Sequence, residues 1–182
     1  TEIQNHNDDG SLSSNGHRQV TGILATGTAS NPVLYVSSSD PRLAANQDVN
    51  LDTNSGVITS LTYDGTSWNA VDILRGLPRS EENHSNNGMV LSPDGSKLYA
   101  TVGGSTNNGA PSKFCAYTGE YALSGTILEI DLAALDNLPV LTDNAPGQNG
   151  RQYVYDLPTL DDPTIPNITD GIGEDEFGMD EA

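Results

Sequence analysis

Basic residues are scarce in this chain. Seven Lys and Arg stand against 25 Asp and Glu, a formal net charge of −18 over 182 residues. Nucleic acid and anionic membrane surfaces need a positive footprint, so neither is expected as a partner. Hard divalent cations prefer oxygen ligands and suit the balance better. The same excess also serves plain solubility, and both uses stay open. The single cysteine, Cys115, excludes an internal disulfide without excluding export. It reads as an ordinary loop or packing thiol. No apolar run approaches the roughly 18 residues that cross a bilayer as a helix, so no membrane span is expected. There is no signal-peptide pattern and no initiating Met. The chain reads as a mature form or a piece of a longer extracellular or periplasmic protein.

Aromatics make up 5% of the chain and apolar residues 35%, while Gly, Ser, Asn, Asp and Thr are abundant. That composition fits short strands joined by polar turns better than a helical bundle. The stretch 75–106 carries the strongest local pattern. A Gly-Leu-Pro turn leads into the polar loop Glu82-Asn83-His84-Ser85. Two apolar runs follow, 88–91 and 97–102, separated by Ser92-Pro93-Asp94-Gly95. Pro93 fixes φ for a turn and Gly95 supplies a positive φ, so a hairpin is expected.

Two series of four strands are predicted. The first comprises 19–25, 33–38, 56–63 and 68–74, with Asp64-Gly65 as a hairpin turn. The second comprises 88–91, 97–102, 125–132 and 152–157. The series resemble each other. Leu34-Tyr35-Val36 matches Leu98-Tyr99-Ala100, and Ser55-Gly56-Val57-Ile58 matches Ser124-Gly125-Thr126-Ile127. Val71-Asp72-Ile73-Leu74 with Leu77-Pro78 parallels Val154-Tyr155-Asp156-Leu157-Pro158. A repeating unit of four short strands is the mark of a β-propeller blade. The expected fold is therefore all-β, with two blades at about residues 18–78 and 79–158 of the chain. Rings typically need about four to eight blades, so the remainder of the propeller, or another chain, is an expected partner. Residues 1–17 read as a polar linker or loop, and 159–182 as an acidic loop or flexible end.

The ordered set Glu82-Asn83-His84-Ser85-Asn86-Asn87-Gly88, Ser92-Pro93-Asp94-Gly95, Lys97-Leu98-Tyr99 and 123–131 resembles the glucose/sorbosone dehydrogenase type of six-bladed propeller. These are the soluble quinoprotein sugar dehydrogenases and their relatives. The similarity spans about residues 19–157. It implies oxidation of a sugar or polyol at a carbon-bound hydroxyl. In active members pyrroloquinoline quinone (PQQ) accepts the hydride and calcium orients it. His84 would be the general base, a task suited to an imidazole because it exchanges a proton near neutral pH. The bland alternative is a loop histidine that hydrogen-bonds turn backbone. One departure stands out. The family holds its quinone with an Arg-Asn pair and further basic residues from later blades, and no Lys or Arg occurs from Gln152 onward. The cofactor site is therefore expected to be incomplete within this chain.

The loop after the second hairpin strand, with Gly103, Gly104, Asn107 and Asn108, could offer carbonyl and amide oxygens to calcium, or be a plain turn. Asn7-Asp8-Asp9-Gly10 lacks the spacing of a calcium loop and reads as a turn. His6, His17, His84 and Cys115 lack zinc-ligand spacing. Asn83-His84-Ser85 and Asn167-Ile168-Thr169 match the glycosylation sequon. Tyr63 and Trp68 could stack on a sugar or simply pack. Two functions of different class follow. One is a segment of a quinone-dependent sugar dehydrogenase. The other is a non-catalytic extracellular module that binds calcium, glycan or protein.

Overall fold

The computed structural model describes residues 4–6, 12–41, 55–79, 84–104, 123–144 and 150–157, with side chains from residue 16 onward. In chain order the strands are β1 (Gln4–His6), β2 (Leu12–His17), β3 (Gln19–Gly27), β4 (Pro32–Ser39), β5 (Gly56–Tyr63), β6 (Trp68–Leu77), β7 (Asn86–Leu91), β8 (Lys97–Val102) and β9 (Thr126–Asp131). A single helical turn, α1 (Leu132–Asp136), precedes β10 (Leu141–Asp143) and β11 (Arg151–Tyr153). The fold is all-β. Strands β3 to β6 form an antiparallel meander, each paired with its chain neighbour. Strands β7 to β9 form a second meander. The sheet orders are β10-β11-β6-β5-β4-β3 and β7-β8-β9, with β1-β2 a separate pair. Neither of the two larger sheets closes on itself among the described residues.

Turn chemistry sets the hairpins. At the β5–β6 turn the Asp64 carboxylate accepts the Thr66 and Ser67 N–H groups, each at 2.8 Å. Those bonds hold the carboxyl well below the usual range. At the β7–β8 turn Gly95 adopts φ 73° and its N–H reaches Ser92 O at 2.9 Å. Asp94 there accepts from the Ser92 hydroxyl and the Ser96 N–H and hydroxyl, which bring its pKa down to about 2. The expected Pro-Asp-Gly hairpin is present. Tyr63 and Trp68 sit opposite each other beside the β5–β6 turn, ring centroids 5.3 Å apart. Each ring thus packs on the other across the strands.

The two meanders bury one core. Ile58, Ile73, Leu74 and Leu77 of the first meet Leu98, Ala100, Val102 and Ile130 of the second. Leu77 and Leu98 are fully buried, each worth about 1.5–3 kcal/mol by removal from water.

Three departures from the sequence expectation have physical causes. The stretch 1–17 contains the β1–β2 pair, with Gln4 opposite His17. Main-chain pairing asks little of side-chain polarity, which is what composition weighs. The stretch 133–150 contains β10 and, at its start, most of α1. Asp131 caps that turn by accepting the Ala134 N–H at 2.9 Å, and the Leu-Ala-Ala-Leu run favours helix. Most consequential, the segment 152–157 does not complete the second meander. Tyr153 pairs in parallel with Asp72, while Tyr155 and Leu157 bond to the Arg75 main chain. It therefore adds to the outer edge of the first sheet. Among the described residues the second sheet has three strands, and 152–157 does not supply the expected fourth.

Candidate functional site

His84 lies two residues before the first residue of β7, at the end where β4, β6 and β8 finish and β5, β7 and β9 begin. Register fixes this. Gln19 lies opposite Ser39, Gly56 opposite Leu77, and Val102 opposite both Asn86 and Thr126. Two bonds bring this end of the second sheet onto the same end of the first. Asn86 Nδ2 donates to Val57 O at 2.8 Å, and the Thr21 hydroxyl donates to Asn86 O at 2.5 Å.

Buried polar residues gather here. Ser37, Ser38, Ser39, Asp40, Ser55, Ser85 and Asn86 are all at most 3% exposed. Burial of that many polar groups costs free energy unless they are bonded, and several of them are. Arg18 donates from Nε to the Ser38 hydroxyl at 3.1 Å, and from its terminal nitrogen to Ser38 O and Ser55 O. The Asp40 N–H reaches the Ser55 hydroxyl at 3.1 Å.

His84, next to Ser85 in the chain, is exposed. Its Nδ1 is 3.0 Å from Gly104 O. A carbonyl can only accept, so Nδ1 carries the proton and Nε2 is the basic nitrogen of the neutral ring. The ring is held closely. The Gly103 N–H donates to Ser85 O at 3.0 Å. A Cβ at Gly103 would lie 2.9 Å from His84 Cβ and 3.0 Å from its Cα, so only glycine admits this approach.

The proposed calcium donors are divided. Gly103 and Gly104 adjoin His84, but each carbonyl already accepts a hydrogen bond, from the Gly125 N–H and from His84. Asn107 and Asn108 lie outside the described residues, as do Asn83, Cys115 and residues 159–182. Calcium takes about six to eight oxygens. The described residues hold two of the four expected donors.

A second polar cluster joins β6 to β10 and β11. Asp72, 2% exposed, accepts the Thr59 hydroxyl at 2.8 Å and Arg75 Nε at 2.9 Å. Arg151 grips the same carboxylate with two nitrogens. Arg75 also reaches Asp143 at 2.9 Å and lies 4.4 Å over the Tyr153 ring. Burial beside Asp143 and Asp72 raises the Asp156 pKa, against the pull of Arg75 and Arg151. The geometry is that of a clamp between strands.

Sequence reasoning identified His84 and missed Asn86, Thr21, Arg18 and the Asp72 cluster. A signal existed for one of these and for the buried serines. Asp72 is a charged residue inside the apolar run Val71-Asp72-Ile73-Leu74, and Ser37-Ser38-Ser39-Asp40 places polar residues on both faces at a strand end. No family model matches the chain, and neither a curated protein nor a solved structure matches it.

Proposed function

We propose that the chain is a segment of an extracytoplasmic, sugar dehydrogenase-like propeller that oxidises a sugar or polyol hydroxyl, with His84 as the base. The observation that carries this reading is the Nδ1–Gly104 O bond. It leaves Nε2 as the acceptor on an exposed ring, anchored by strand ends on both sides. Oxidation of a secondary alcohol to a carbonyl releases a proton from oxygen and a hydride from carbon. Nε2 takes the proton as the hydride leaves. A bound quinone supplies the hydride acceptor in the family that the motifs resemble.

The described residues carry the proton-accepting half of this chemistry. Of the expected calcium donors, Gly103 and Gly104 adjoin His84. Completion of the site then falls to the remainder of the propeller or to another chain. The two antiparallel meanders sharing one core support a propeller-like arrangement. The second reading is a non-catalytic calcium-, glycan- or protein-binding module. The net charge of −18 favours it.

The test uses the intact protein. It is titrated with PQQ and calcium, then assayed for dye reduction with a panel of aldoses and polyols. Saturable cofactor binding, with dye reduction lost in His84→Ala and cofactor affinity retained, supports the dehydrogenase. Absence of binding, or turnover indifferent to His84→Ala, leaves the binding module.

A further inference from the structure

The outer edge of β9 is bordered by a groove of ≈ 400 Å³. Leu74, Leu128, Ile130, Leu135, Leu138 and Leu157 line it. Among the described residues β9 ends its sheet and has no strand beyond it. The hydrogen-bond phase identifies what the edge offers. The Leu132 N–H donates to Ser96 O at 3.1 Å, one step past the pair Asp131 and Lys97. Bonding alternates along an antiparallel ladder. Leu128 and Ile130 therefore turn their main-chain groups to β8, and Ile127 and Glu129 turn theirs outward. Ile127 is 72% exposed.

Such an edge is usually blunted by a bulge, a proline or a covering loop. Here six regular strand residues stand beside an apolar trough. The repeat pattern assigns a fourth strand to this place, and the segment expected to fill it, 152–157, lies on β6 instead. Tyr155 and Leu157 form the opposite bank of the groove.

We propose that β9 and its groove accept an extended strand of a partner polypeptide, apolar at alternate positions and basic between them. Main-chain bonds to Ile127 and Glu129 set its register, and its apolar side chains fill the trough beside Leu128 and Ile130. Its basic residues meet the other face, where among the described residues Glu129 and Asp131 share the cation Lys97 and leave one negative charge in excess. A second copy of this chain is the poorer occupant. Each copy carries −18, and antiparallel β9–β9 pairing brings carboxylates of the two edges together. This proposal is independent of the role of His84.

The probe is a fluorescein-labelled peptide of about nine residues, valine alternating with lysine or threonine, long enough to span the six residues of β9. Fluorescence polarisation with the full chain is expected to saturate. Replacing the peptide's lysines with glutamate should weaken binding about tenfold or more, and N-methylation of its pairing edge should abolish it. Glu129→Pro removes an outward N–H from an edge strand, and Leu138→Lys alters the half-exposed rim of the groove. Both variants should keep the far-UV circular dichroism of the parent and bind about tenfold less peptide. Absence of saturation, equal affinity for the glutamate peptide, or undiminished binding by both variants overturns the proposal. So does a dimer in sedimentation that Glu129→Pro dissociates, because the occupant is then a second copy.

Discussion

Asp72→Asn should destabilise the fold substantially, and the loss should concentrate at β11. The carboxylate is 2% exposed and receives Arg75, Arg151 and the Thr59 hydroxyl. An asparagine could still accept the hydroxyl bond, but it removes the countercharge of two guanidiniums whose side chains are 10% and 16% exposed. Removing one partner of a buried pair costs about 3–5 kcal/mol. Arg75 retains Asp143 at 2.9 Å, and Arg151 has the greater access to solvent, so the lower figure of about 3 kcal/mol applies. At about 2–4 °C per kcal/mol for a chain of this size, Tm should fall by about 6–12 °C. Thermal unfolding by circular dichroism measures the fall. Hydrogen exchange locates it: the Val154 and Leu157 amides, bonded to Asp72 O and Arg75 O, should lose protection before the β4 and β5 amides do. Arg151→Gln in the Asp72→Asn background should cost less than Arg151→Gln alone, because the pair is already broken. A Tm unchanged within about 2 °C, with Val154 and Leu157 still protected, would refute the clamp.

Gly103→Ala should displace His84, because the new methyl would sit 2.9 Å from His84 Cβ. Loss of the Nδ1–Gly104 O bond would show in imidazole nitrogen NMR, and any dye-reducing activity should drop by about 100-fold from misplacement of the base. Asp156→Asn should raise Tm at neutral pH. The folded-state pKa of Asp156 is raised, so its contribution is favourable below the unfolded value near 3.8 and is lost as pH rises through the folded value. The advantage of Asp156→Asn in a Tm-against-pH series should therefore vanish below about pH 4, and a constant offset at all pH values would contradict that reasoning.

Strands β3 to β8 were legible because local chemistry decides them. Gly56 to Tyr63 is a run of mostly β-branched and aromatic residues, and Asp64-Gly65 and Pro93-Asp94-Gly95 end the runs with residues that fit their turns. The position of 152–157 was not legible, although its existence as an extended segment was. Its pattern suits the edge of β6 and that of β9 equally. The choice of β6 follows from charges far away in sequence: Arg75 to Asp143 spans 68 residues and Arg151 to Asp72 spans 79. A pattern read within a window of ten residues holds no information about such pairs. The turn α1 was missed because it is five residues long and its first residue falls in the run read as a strand.

The candidate site divides in the same way. His84 stood out in sequence as a histidine before a strand, but nothing local distinguishes a base from a loop residue. That distinction rests on rigidity, because a base must be held within a fraction of an ångström of its proton donor. Rigidity here comes from Asn86, two residues on, which is fully buried and ties β7 to the first sheet through Val57 O and the Thr21 hydroxyl. It comes also from Gly103, whose N–H fixes Ser85 and whose missing side chain lets the ring approach Gly104. An asparagine between two turn formers reads as a loop residue in sequence, and a Gly-Gly pair reads as a flexible hinge. Folded, both do the opposite and immobilise the backbone beside His84. Polar loop composition at a strand end is thus compatible with a stiff site whenever its groups bond across sheets.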